Sequence, residues 1–156
     1  MMPEQNPQTF TTLKQLEQRF KTQKGTTQLV GYFPVEKYQS MFLAIMLNCD
    51  FEKQQYLLDL EWMCLGLDAY GDTLQESYVY QFESFDALLA YLASTYKIQV
   101  TDIPIKYNSA NANHPNPWSN MAQKAEFEKE WEQFQQEFTA GKYLDKGQKV
   151  TYTSKV

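Results

Sequence analysis

The sequence predicts an α+β fold, with an antiparallel sheet of about four strands and helices packed on one face of that sheet. Stretches with period-two alternation and stretches with helical spacing both occur, and short turn-like sequences separate consecutive strands. The chain has 156 residues, of which 43% are apolar, and can therefore form a core without metal or disulfide. We expect a single domain over residues 1–156, with residues 1–9 and 142–156 mobile.

The first predicted helix follows the polar N-terminal residues. Thr12 and Gln15 have the spacing of a capping box at its start. Gly25 is suited to end it in a left-handed conformation. Apolar residues recur on one face of this helix, namely Leu13, Leu16 and Phe20.

Two strands are predicted next. Thr27–Phe33 is rich in β-forming residues and is interrupted by Pro34. Met41–Leu47 is an apolar run that fits either a buried strand or a buried helix segment. We favour a strand because the turn-like stretch Asn48–Lys53 follows closely and leads into another strand.

Tyr56–Leu67 alternates in the manner of a strand with one buried side. One side carries both acids of the segment, Asp59 and Glu61, and a helix would instead place Asp59 among leucines with no polar stripe. The other side is wholly apolar and consists of Tyr56, Leu58, Leu60, Trp62 and Cys64.

Thr73–Phe82 is predicted to return as the partner strand after a turn over Asp68–Asp72. A two-residue loop at Tyr70 and Gly71 would turn Val79 towards the core. The acidic side would then consist of Asp59, Glu61, Glu76, Tyr78 and Tyr80. A slip of one residue would instead bury Tyr78 and Tyr80 beside Trp62. We predict the first register.

A second helix is predicted after Ser84, a suitable N-cap. Its packed face consists of Phe85, Leu88, Leu89, Leu92 and Tyr96. A short strand is expected within Ile98–Ile105, followed by a polar loop from Asn108 to Pro117.

The last predicted helix runs from Asn120 to about Ala140, with Ser119 as its cap and Gly141 at its end. Its buried stripe consists of Phe127, Trp131, Phe134 and Phe138. The glutamates 126, 128, 130 and 132 are expected on its solvated face. In the basic tail, Val150–Thr153 is compatible with pairing at a sheet edge.

Negative charge is concentrated in the middle of the chain. Residues 50–86 hold nine acids and one base, a net charge of −8, whereas residues 1–49 and 87–156 have net charges of +2 and +1. Carboxylates crowded within a screening length of about 8 Å repel one another, and a basic partner would relieve that repulsion. The acidic balance argues against free nucleic acid or a membrane surface as a partner.

The sequence carries no catalytic signature, and we expect a protein that is not an enzyme and needs no metal or cofactor. His114, the only histidine, lies in the polar loop. Cys49 and Cys64 lack metal-ligand spacing and are expected to be buried thiols. The N-terminus lacks the features of a signal peptide, and the longest apolar run is too short to span a bilayer. A cytoplasmic location is therefore expected.

The block from Gly71 to Tyr107 combines the acidic hairpin with the pattern F-x-S-F-D-x-L-L-x-Y-L. It resembles small bacterial immunity proteins of contact-dependent or polymorphic toxin systems. The resemblance implies a non-enzymatic inhibitor that binds a basic nuclease toxin.

The sequence thus predicts a binding protein that neutralises a basic toxin through an acidic, tyrosine-bearing surface. That surface is predicted to comprise Asp59, Glu61, Asp68, Tyr70, Asp72, Glu76, Tyr78 and Tyr80. One alternative is an acidic nucleic-acid mimic or adaptor that binds a basic host protein. Others are a small acid-dependent hydrolase using Asp59 or Glu61 with His114, and a structural subunit whose sheet face pairs with a second copy.

Overall fold

The computed structural model describes residues 9–64, 74–105, 124–145 and 147–155, and their side chains apart from those of 74–76, 124 and 149–155. The helices in this part of the chain are α1 (Leu13–Thr22), α2 (Phe85–Tyr96) and α3 (Lys124–Thr139). Its strands are β1 (Thr27–Pro34), β2 (Met41–Asp50), β3 (Gln55–Cys64), β4 (Leu74–Phe82) and β5 (Lys149–Lys155). None of these helices is both long enough and apolar enough to traverse a bilayer.

The predicted α+β class is confirmed. The five strands form one sheet in the order β1-β2-β3-β4-β5, and β1 to β4 make up an antiparallel meander. Met41–Leu47 lies in β2, which confirms the strand interpretation. The tail contributes β5 at the sheet edge, in agreement with the alternative expectation for Val150–Thr153.

By their contacts, the residues divide into two compact units, and each of β1 to β4 contributes a part to both. The first unit comprises residues 1–31, 45–59 and 81–114. The second comprises residues 32–44, 60–80 and 115–156. Whether the chain is one folding domain stays a prediction.

The first unit contains α1 and α2, and both helices begin as predicted. In α1, the Gln15 N–H donates to the Thr12 hydroxyl, and the Thr12 N–H donates to Oε1 of Gln15, each at 3.2 Å. In α2, the Ala87 N–H donates to the Ser84 hydroxyl at 3.0 Å. The predicted apolar face of α1 is only partly buried, because Leu13 is 38% exposed whereas Leu16 and Phe20 are buried.

Aromatic rings fill the core of the first unit. The ring of Phe85, at the start of α2, contacts Phe20 of α1 at a centroid distance of 6.0 Å and Phe51 at 5.1 Å. Phe51 also contacts Tyr56 of β3 at 5.4 Å, edge to face. The turn between β2 and β3 is therefore fixed to α2 by ring packing, and the same Phe85 ring packs on α1.

The strand predicted within Ile98–Ile105 is wrong. Val100–Asp102 forms a single 3₁₀ turn, closed by the Asp102 carboxylate, which accepts from the Gln99 N–H at 2.9 Å. Pro104 makes one isolated bridge to Thr9 and has no N–H with which to extend a ladder.

Side chains hold this segment instead. Gln28 donates to the Pro104 carbonyl at 2.7 Å, and Arg19 donates to the Ile105 carbonyl at 2.8 Å.

The second unit is built around α3. The predicted stripe of Phe127, Trp131, Phe134 and Phe138 is buried, as expected. Trp62 of β3 contacts the rings of Phe138 at 5.8 Å and Tyr143 at 5.7 Å. Gly141 follows the helix with a positive φ of 84°, also as predicted. The proposed start of this helix at Ser119 and Asn120 lies outside the described residues.

Candidate functional site

Burial alternates along β3 as the sequence predicts. The apolar side from Tyr56 to Cys64 is buried. The opposite side is only half-buried and carries Leu57, Asp59, Glu61 and Met63 in succession. Two carboxylates therefore alternate with apolar side chains along the less buried side of this strand.

The predicted register of β3 and β4 is wrong. Tyr78 and Tyr80 are 6% and 1% exposed, and the ring of Tyr78 meets Trp62 edge to face at 5.8 Å. Val79, expected in the core, is half-buried instead. Tyr78 and Tyr80 therefore lie on the buried side, as in the slipped alternative, because burying two tyrosine rings removes more apolar surface from water than burying one valine.

Both tyrosine hydroxyls have partners inside the second unit. The Tyr78 hydroxyl donates to the Phe138 carbonyl at 3.3 Å, and the ring of Tyr78 stacks on that of Phe138 at 4.5 Å. The Tyr80 hydroxyl accepts from the Asp145 N–H at 2.8 Å, and burial raises the pKa of Tyr80. These two residues stabilise the fold and are withdrawn from the predicted contact surface.

The remaining predicted site residues are only partly described. Glu76 lies in β4, but its side chain is not among those that the structure describes. Asp68, Tyr70 and Asp72 lie outside the described residues, as does His114. Asp59 and Glu61 are therefore the predicted site residues whose side chains the structure locates on the half-buried side of β3.

Part of the central negative charge is neutralised by a flanking segment. Lys24, just after α1, forms an ion pair with Glu52 at 2.5 Å, and the bond to Glu52 raises the pKa of Lys24. The Asp50 carboxylate accepts from the backbone N–H groups of Glu52 and Lys53 at 3.0 and 3.1 Å. Glu52 therefore has a basic neighbour within the chain, whereas Asp50 has a role in the turn.

Glu137 of α3, to which no sequence pattern assigned a role, is surrounded by hydrogen-bond donors. Its carboxylate accepts from the hydroxyls of Tyr38 and Tyr143 at 2.5 and 2.8 Å. It also accepts from Lys142 at 3.2 Å and from Lys37. Four donors from two separate segments thus converge on one carboxylate.

The hydrogen bonds around Glu137 and the burial of its neighbours shift the pKa values of these side chains. The bond from Lys37, followed by that from Tyr38, holds the pKa of Glu137 well below its usual range. Burial, with a smaller contribution from Glu137, raises the pKa of Tyr143 to about 12. The group is therefore ionised Glu137 beside neutral tyrosines at neutral pH, which suits a structural clamp better than proton transfer.

Glu130 joins α3 to the start of β2. Its carboxylate accepts from the N–H groups of Gln39 and Ser40 at 3.2 and 2.9 Å and from the Ser40 hydroxyl at 2.6 Å. The expected solvated face of α3 is thus wrong at Glu130, while glutamates 126, 128 and 132 are exposed. A local signal existed, since positions 130 and 137 are seven residues apart and border the apolar stripe.

Both cysteines are free, buried thiols, as predicted. Cys64 donates to the Ser40 hydroxyl at 3.4 Å, but Ser40 is itself buried, so this contact does not form an accessible nucleophile. Burial raises the pKa of Cys49 to about 12 and that of Cys64 to about 11. Within the described parts of the chain, no three His, Cys, Asp or Glu residues are grouped to hold a metal ion.

A cleft of about 240 Å³ lies in the first unit. Its lining residues are Phe20, Lys21, Lys24, Asp50, Phe51 and Glu52. The charges of its two bases and two acids cancel, so the cleft favours neither anionic nor cationic ligands. Neither Asp59 nor Glu61 lines it.

Comparison with protein-family models, with curated proteins and with solved structures gives no match.

Proposed function

We propose that this chain is a non-enzymatic binding protein that recognises a basic protein through the half-buried side of β3. The observation that carries the proposal is the row of Leu57, Asp59, Glu61 and Met63. Acids steer a cationic partner, and the apolar residues beside them supply contact area that loses water on binding.

The charge of the whole hairpin supports the same partner class. Residues 55–82 contain five acids and no lysine or arginine, which gives a net charge of −5. An acidic field of this kind repels nucleic acid and attracts basic proteins before contact. The resemblance of Gly71–Tyr107 to toxin-immunity proteins makes a nuclease toxin the partner that we propose.

The source of apolar contact differs from the sequence prediction. Tyr78 and Tyr80 are buried and cannot contribute, so Leu57 and Met63 take their place in the proposal. Methionine suits this role because its unbranched side chain adapts to a partner surface.

The proposal is tested with the partner isolated by crosslinking to the intact chain and then purified. Association is followed from about 0.05 to 0.3 M salt for wild type and for the double variant Asp59→Asn, Glu61→Gln. We expect the variant to associate about tenfold more slowly at low salt, and the difference to shrink as salt rises.

A matched variant distinguishes the effect of the β3 surface on association from the effect of net charge. Glu128→Gln with Glu132→Gln also removes two charges, from exposed positions on α3. We expect this control to associate nearly as fast as wild type. Equal slowing by both double variants, or no slowing by the β3 variant, would reject the β3 surface.

A further inference from the structure

The edge of β4 is occupied by the chain's own C-terminal strand. β5 pairs with β4 and is the last strand of the sheet on that side. Without β5, β4 would present a row of unpaired backbone N–H and C=O groups, which is the usual template for adding an extended segment. The fold therefore contains one example of a segment that the edge of β4 accepts.

The occupant is basic, in contrast to the hairpin that it joins. β5 contains Lys149 and Lys155 and no acid, for a net charge of +2. β4, with which it pairs, contains Glu76 and no base, and belongs to residues 55–82, whose net charge is −5. Opposite net charges on paired strands attract, so the charge of β4 and of the residues before it favours lysine in the adjoining strand.

The residues just before β5 are hydrogen-bonded to β4. The Asp145 N–H donates to the hydroxyl of Tyr80 on β4 at 2.8 Å. Asp145 also closes a turn, since its carboxylate accepts from the Gly147 N–H at 2.9 Å and its carbonyl from the Gln148 N–H at 3.0 Å. Release of Lys149–Lys155 would therefore break the ladder to β4 and leave this anchor in place.

We propose that the edge of β4 is a docking site for an extended basic segment of the partner protein, and that β5 is the internal ligand which that segment replaces. The inference rests on the proposed function, because the partner is the same basic protein. Backbone hydrogen bonds to β4 would supply affinity, and the acids of the hairpin would select lysine and arginine in the incoming strand.

Tethering of β5 makes the exchange selective. A strand held by a short linker competes at an effective concentration in the millimolar range. An isolated basic peptide at micromolar concentration cannot displace it, whereas a partner that also contacts the half-buried side of β3 can. Exchange thus requires both surfaces to be recognised together.

The test uses a fluorescent peptide with the sequence of residues 147–156 and the full-length chain. Thr151→Pro with Tyr152→Pro in the chain removes a ladder N–H whichever of the two residues points it towards β4, and so leaves the edge of β4 unoccupied. We expect the peptide to bind this variant at least about tenfold more tightly than wild type. A peptide with glutamate in place of both lysines should bind the variant about tenfold more weakly.

The proposal is overturned if the peptide does not bind a folded proline variant or binds wild type and variant equally. It is also overturned if replacing the lysines of the peptide leaves its binding unchanged. Hydrogen exchange on the wild-type chain gives a second test that needs no variant. We expect amides of Lys149–Lys155 to exchange at least about tenfold faster than those of β2, because β5 opens separately from the sheet. Equal protection of both strands would also overturn it.

The peptide-binding test of this inference and the association test of the proposed function can succeed or fail independently. Slower association of the β3 variant together with no peptide binding would mean that the partner binds the hairpin without strand exchange, which rejects only this inference. Peptide binding together with unaltered association of the β3 variant would keep the docking edge and reject the proposed β3 surface.

Discussion

The hydroxyl of Tyr38 donates a hydrogen bond of 2.5 Å to Glu137 and thereby joins the connection between β1 and β2 to the last turn of α3. A carboxylate at the C-terminal end of a helix is disfavoured by the helix dipole. The donors around Glu137 offset that cost, because Lys37, Lys142 and Tyr143 also bind the same carboxylate. The ionised form of Glu137 is therefore stabilised by folding.

Glu137→Gln should lower the free energy of unfolding by about 1–2 kcal/mol at neutral pH, because the charged acceptor is lost. Folding depresses the pKa of Glu137, so its contribution is complete above the ordinary carboxyl pKa of 4.5 and is lost as the pH falls towards the folded-state value. The gap between wild type and variant should therefore narrow on acidification below that pH. Urea unfolding at a series of pH values measures both effects.

Glu128→Gln is the matched control, since this glutamate is exposed on the same helix. Its free energy of unfolding should differ from that of wild type by less than about 0.5 kcal/mol. A gap between wild type and Glu137→Gln that stays constant across the acid range would contradict the role assigned to the Glu137 charge.

Tyr78→Ala should lower the free energy of unfolding by about 3–5 kcal/mol, because it removes a buried ring packed on Trp62 and Phe138. Tyr78→Phe should cost only about 1 kcal/mol, since it removes the hydroxyl bond to the Phe138 carbonyl and keeps the ring. Chemical denaturation gives both values. A Tyr78→Ala variant as stable as wild type would support the exposed register instead.

The register of β3 and β4 shows where sequence reasoning reaches its limit. Alternation along β3 identifies the buried side correctly, because its odd and even positions differ clearly in polarity. Along β4 the even positions carry Tyr78 and Tyr80 and the odd positions Ser77 and Val79, so neither set is clearly apolar. Tyrosine suits both core and surface, and only packing against Trp62 decides between them.

The glutamates of α3 show a second limit. Periodicity of the apolar stripe predicts the buried face of this helix, and Phe127 to Phe138 follow it. Glu130 and Glu137 border that stripe, but the donors to Glu130 and two of the four donors to Glu137 come from Lys37–Ser40, distant in the sequence. Their spacing places them beside the stripe but does not identify such partners, so the sequence predicted Glu130 on the solvated face and assigned no role to Glu137.

Glu130→Ala should lower the free energy of unfolding by about 2–3 kcal/mol. The variant leaves the N–H groups of Gln39 and Ser40 and the Ser40 hydroxyl without their acceptor, and Ser40 is buried. Thermal unfolding followed by circular dichroism should give a melting temperature lower by several degrees. Glu132→Ala, at an exposed position of α3, should melt within about 1 °C of wild type. Similar melting of both variants would contradict the capping role of Glu130.

Cys49 and Cys64 should resist alkylation in the folded protein. Their burial raises the pKa values to about 12 and about 11, and the thiolate is the form that reacts. Iodoacetamide at mildly alkaline pH should leave the native chain unmodified during a time that fully labels a cysteine peptide, whereas denaturation in guanidinium chloride should expose two reactive thiols. Mass spectrometry counts the adducts, and peptide mapping assigns them. Rapid labelling of Cys64 in the native chain would mean that its contact with Ser40 opens readily, and would contradict the buried hydrogen-bonded arrangement of Glu130, Ser40 and Cys64.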